Sequence, residues 1–81
     1  MTRLPRDVSG ARLARALQNV GYEITRQTGS HIRLTTTMGG RHHITIPSHD
    51  ALKVGTLNGI LRDVASHAQL TREELLKRLG L

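Results

Sequence analysis

Thr28-Gly29-Ser30-His31-Ile32-Arg33-Leu34-Thr35-Thr36 is the stretch on which the reading of this chain turns. Ile32 and Leu34 alternate with His31, Arg33 and Thr35, the period of two that sends successive side chains to opposite faces of a strand. One face of residues 30–36 is therefore apolar and belongs against a core. The other presents an imidazole and a guanidinium to water. Thr28-Gly29 in front of it reads as a tight hairpin turn, with the glycine supplying a positive φ.

Working outward, residues 22–28 have the same period and read as a preceding strand, with Tyr22, Ile24 and Arg26 on one side and Glu23, Thr25 and Gln27 on the other. Met38-Gly39-Gly40-Arg41 is a second turn. Residues 42–46 form a third strand, Ile44 and Ile46 facing inward and His43 and Thr45 outward, and Pro47 ends it because proline cannot donate to a ladder.

Helices flank the strands. Ser9 is an N-cap, followed by Leu13, Ala16, Leu17 and Val20 at helical spacing, and Gly21 closes the segment. After a loop over residues 47–55, Thr56 reads as the N-cap of a second helix with a stripe of Leu57, Ile60, Leu61, Val64 and Ala65. Gly59 within it suggests close packing against a strand. Thr71-Arg72-Glu73-Glu74 is a capping box for a short last helix carrying Leu75, Leu76 and Leu79 and stopped by Gly80. Three hairpin-connected strands with one apolar face, covered by amphipathic helices, define an α+β fold, a two-layer sandwich with helices on one face of a three-stranded antiparallel sheet. Residues 1–81 form a single domain.

The chain has 81 residues and no cysteine, so its stability rests on aliphatic packing without disulfides or thiolate metal sites. No apolar run reaches a membrane span, and Met1-Thr2-Arg3-Leu4-Pro5-Arg6 lacks the apolar stretch of a signal peptide, so a cytoplasmic location is expected. Twelve basic against six acidic residues give a net charge of +6. Between residues 24 and 49 there is no acid at all, while Arg26, Arg33, Arg41 and four of the five histidines fall there. That is the composition of a surface that meets a polyanion. Tyr22 is the only aromatic, which excludes modules that stack several bases on aromatic rings.

The helix-strand-strand-strand-helix order, Gly29-Ser30-His31 on the second strand, His43-Ile44-Thr45-Ile46-Pro47-Ser48-His49 on and after the third, and Leu52-Lys53-Val54-Gly55-Thr56-Leu57 opening the second helix closely resemble the HicA family of toxins. The resemblance implies a fold like the double-stranded-RNA-binding domain and a metal-independent mRNA interferase neutralised by a HicB-type antitoxin. It puts the family's catalytic histidine on His31. Many members carry an aromatic shortly after that histidine, where this chain has Ile32-Arg33-Leu34.

RNA cleavage of this kind needs a proton taken from a 2′-OH, charge stabilised on phosphorus and a proton given to the leaving oxygen, work that suits an imidazole. His31 is the expected proton carrier, Arg33 on the same face a phosphate partner, and His43, with the same outward phase, a candidate second carrier. Ser30, Arg26, Arg41, Lys53 and Thr56 are candidate RNA or phosphate contacts, the last two at a helix N-terminus. No cofactor and no metal are expected, since adjacent His42 and His43 point to opposite faces and no carboxylate stands near them. A Ser-His-Asp set is excluded by the absence of an acid around Ser30. His49 falls in the loop beyond Pro47, and His67 reads as a cation favouring a helix C-terminus. The expected partners are mRNA and an acidic antitoxin over the basic face. A non-catalytic double-stranded-RNA-binding module is the alternative reading.

Overall fold

The computed structural model describes residues 4–81; the N-terminal reading of Met1, Thr2 and Arg3 lies outside them. Ser9 caps the first helix, α1 (Gly10–Leu17), its hydroxyl accepting from the Arg12 N–H. A 3-10 turn over Gln18–Val20 continues the helix to Gly21, whose left-handed φ of 94° redirects the chain. Strands β1 (Glu23–Gln27), β2 (His31–Thr36) and β3 (His42–Pro47) follow as an antiparallel sheet in the order β1-β2-β3. Helices α2 (Val54–Ala68) and α3 (Arg72–Leu79) complete the chain. The α+β two-layer arrangement expected from the residue pattern is the one observed.

Ile32 and Leu34 of β2 and Ile44 and Ile46 of β3 point into a core shared with Leu13 and Leu17 of α1. Leu57, Leu61 and Val64 of α2 and Leu75 of α3 close it. Each such side chain taken fully from water contributes about 1.5–3 kcal/mol before the cost of ordering the chain. Thr71 and Glu74 form the expected capping box, and Arg72 donates to Asn58 Oδ1, tying α3 to α2. Among the described residues no helix is long and apolar enough to cross a membrane.

Four expectations need correction. Strand β1 has no buried residue, and Ile24 is 40% exposed. A bulge between Ile24 and Arg26 breaks its simple alternation, so Arg26 pairs with Arg33 on the open face instead of following Tyr22 and Ile24. Helix α2 starts three residues earlier than expected, with Lys53 as N-cap, so Thr56 lies inside the first turn and caps nothing. A Cβ on Gly59 would meet nothing within 4 Å, so close packing does not explain that glycine. Gly29 keeps a φ outside the left-handed region, and the β1–β2 turn is closed by a backbone bond from Thr28 to His31 together with bonds to the Thr28 hydroxyl.

The glycine that close packing does require is Gly10. Any Cβ there would collide with the carbonyl oxygen of Pro47, and its N–H donates to the His49 carbonyl at 2.9 Å. The start of α1 is thereby seated on the end of β3, the end of the sheet that carries His31.

Candidate functional site

His31 is positioned by the turn that precedes it. Thr28 Oγ1 accepts from the N–H of Ser30 at 3.4 Å and of His31 at 3.1 Å, while the Thr28 N–H donates to the His31 carbonyl at 2.9 Å. Across the turn, the Ser48 N–H donates to the Ser30 carbonyl at 2.9 Å, which ties the turn to the segment leaving β3. With the backbone held from both sides, Ser30 Oγ lies 2.9 Å from His31 Nδ1. The ring itself is exposed. A hydroxyl both donates and accepts, so Ser30 supports either neutral tautomer of the imidazole. When it donates to Nδ1, Nε2 carries the proton; when it accepts from Nδ1–H, Nε2 offers a lone pair. The sequence reading puts Thr28 in the turn but assigns nothing to its hydroxyl, although a hydroxyl residue three positions before His31 is the signature of a turn closed by its side chain.

The rest of the open face is set by register. His31 lies opposite Pro47, Arg33 opposite Thr45 and Thr35 opposite His43. On the other side of β2, Arg33 lies opposite Arg26 and Thr35 opposite Glu23. The face therefore grades from His31 through the two arginines to a polar end where Thr35 bonds both His43 Nδ1 at 2.8 Å and Thr25 Oγ1 at 3.2 Å. Partial desolvation first, and then the charges of Arg33, Arg41 and His42, lower the His43 pKa below its ordinary 6.5.

The fold does not bring His43 to His31. Their strand partners differ by four positions, about 13 Å along the sheet, too far to serve one phosphate together. Arg41 falls beside His43, at the β2–β3 turn. Lys53 and Thr56 lie at the His31 end but on the helix layer, in the first turn of α2, where no side chain caps the free N–H groups. His49 is exposed in the loop after β3 at that same end.

His42 and His67 have partners of their own. His42 Nδ1 lies 2.8 Å from the Tyr22 hydroxyl, and its ring stacks on His67 with centroids 4.5 Å apart. His67 Nε2 faces the carbonyl oxygens of Met38 at 2.9 Å and Gly40 at 3.1 Å. Two acceptors demand a donor, so Nε2 carries the proton and clamps the β2–β3 turn to the end of α2. Burial, with a smaller effect of Asp63, raises the Tyr22 pKa and keeps its phenol protonated. The sequence reading of His67 as a helix-end cation missed this clamp; the inward phase that His42 shares with Ile44 and Ile46 was the available signal.

Among the described residues no three His, Asp or Glu side chains gather as a metal site. The molecule is thus a small basic α+β domain with two exposed, hydroxyl-bonded histidines, His31 and His43, toward opposite ends of a sheet face that carries Arg26 and Arg33. Residues 10–65 match the model of a family described as the HicA toxin of bacterial toxin-antitoxin systems. The match covers more than half of the chain, which belongs to the HicA toxin family. Comparison with curated proteins and with solved structures returned no match in either case.

Proposed function

We propose that this toxin is an endoribonuclease that cleaves mRNA in the cytoplasm without a metal, with His31 as the proton carrier, and that a HicB-type antitoxin neutralises it. The observation that carries the reading is the Ser30–His31 pair, which leaves Nε2 of an exposed ring without a protein partner on a sheet face that carries Arg26 and Arg33. Nε2 takes the proton of a ribose 2′-OH as the O2′–P bond forms, and Nδ1–H then donates to the Ser30 hydroxyl. The same proton passes from Nε2 to the 5′-oxygen as the P–O5′ bond breaks. The products are a 2′,3′-cyclic phosphate and a 5′-OH. Arg26 and Arg33 supply positive charge to the RNA backbone. An acidic antitoxin surface laid over that face would exclude RNA by occupying the same charges.

The alternative, a module that binds double-stranded RNA without cutting it, draws on Lys53 and the uncapped start of α2. One assay separates the two readings. Purified protein is incubated, with chelator present, with an RNA and with the same RNA carrying a single 2′-deoxy nucleotide at the site of cleavage. Cutting of the first alone, with cyclic-phosphate ends, is the expected result. Binding without cutting favours the module, and cutting of both removes the 2′-OH from the chemistry.

A further inference from the structure

We propose that Arg26 and Arg33 hold one phosphodiester between them, the one adjacent to the bond on which His31 acts. The open face would then take single-stranded RNA as at least two consecutive phosphates. This rests on the reading of His31 given above and adds a second subsite to it.

The bulge in β1 is what builds the pair. In an unbroken ladder, Thr25 would lie opposite Arg33 and Arg26 opposite Ile32, toward the helices. The shift between Ile24 and Arg26 instead puts Arg26 opposite Arg33. Two like charges directly opposite on neighbouring strands destabilise a hairpin, with Cα atoms only about 4.5–5.5 Å apart. Both residues are exposed, and from residue 24 to residue 49 the chain offers no carboxylate to offset them. The acid nearest in register, Glu23, pairs with Thr35 on the side of His43, away from His31. An anion with several acceptor oxygens relieves that repulsion, and two guanidinium forks match a phosphate closely.

Spacing selects which phosphate. Arg33 lies two residues from His31 on one strand, about 7 Å, comparable with one nucleotide of an extended single strand. A-form duplex would present both backbones and a broad minor groove, which a three-stranded face with a single arginine pair does not match. Arg26 and Arg33 are then positioning residues that act on binding, while His31 acts on the bond.

The test uses a short 2′-O-methyl oligoribonucleotide, which binds but has no free 2′-OH to react, titrated at several salt concentrations. If one phosphate is shared, either single variant, Arg26→Ala or Arg33→Ala, weakens binding severalfold. The double variant lowers the slope of log affinity against log salt by roughly 0.7. Separate phosphates would give about twice that loss, and an unchanged slope would mean no contact; each overturns the clamp. With cleavable RNA, Arg26→Ala raises KM and leaves kcat, whereas His31→Ala lowers kcat and binds the methylated RNA like wild type. Thermal melting no lower than wild type shows that the arginine variants are folded. Wild type that binds the methylated RNA with the shared-phosphate slope but cuts no RNA would sink the catalytic reading while leaving the clamp. Wild type that cuts RNA while the arginine variants bind unchanged would do the reverse.

Discussion

The exposed His31 at one end of β2 and the half-buried His42–His67 pair at the other are held in different ways. At one end His31 is exposed, held by Ser30 through Nδ1 alone, in a turn whose backbone is fixed by Thr28 and Ser48. At the other, His42 and His67 are half-buried, stacked on each other and bonded to Tyr22 and to the Met38 and Gly40 carbonyls. The half-buried, stacked pair spends His42 Nδ1 on Tyr22 and His67 Nε2 on two turn carbonyls, and so stabilises the β2–β3 turn. His31, exposed and bonded through Nδ1 alone, keeps a ring nitrogen that a substrate can reach. The difference lies in partners and exposure, since the residue type is the same.

The contrast can be broken from the structural end. His67→Ala removes the donor to two carbonyl oxygens and one ring of the stack. It should cost about 1–3 kcal/mol, which at roughly 4–8 °C per kcal/mol is a readily measured fall in melting temperature. Below that melting point RNA cleavage should proceed at the wild-type rate. A folded His67→Ala protein that no longer cuts would move this cluster into the chemistry.

A smaller effect is expected from Ser30→Ala. Losing one neutral hydrogen bond to Nδ1 is worth about 1 kcal/mol, or roughly fivefold in rate, with melting little changed because the Thr28 and Ser48 backbone contacts remain. A loss as large as that of His31→Ala would mean that the hydroxyl takes part in bond making.

The smallest effect concerns His43. Its pKa is depressed, so the folded state favours the neutral ring. The associated stability is present above the unfolded value near 6.5 and is lost as pH falls through the lower folded value. Titration of the His43 ring followed by NMR should show a midpoint below 6.5. A midpoint above it would point to an unrecognised anion beside the ring.

Much of this was legible in the chain because burial enforces periodicity. Ile32, Leu34, Ile44 and Ile46 keep a strict alternation, and Leu57, Leu61 and Val64 keep a helical one, so the layers and the outward phase of His31 could be read directly. Strand β1 could not, because none of its residues is buried and nothing in an exposed strand marks where a bulge will fall. The pairing of Arg26 with Arg33 and the separation of His43 from His31 are matters of register, set by contacts between strands instead of by either strand's own residues. The start of α2 was misread for a related reason. Thr56 has the chemistry of a cap, but Lys53 takes the extended N-cap position three residues earlier and offers no side-chain signal.

The most direct measurement is the rate at which purified His31→Ala protein cuts RNA, beside wild type, with chelator present and the melting temperature of each recorded. A loss of about 10²–10⁴-fold at unchanged melting is the expected result. Equal rates from two equally folded proteins would remove His31 from the reaction.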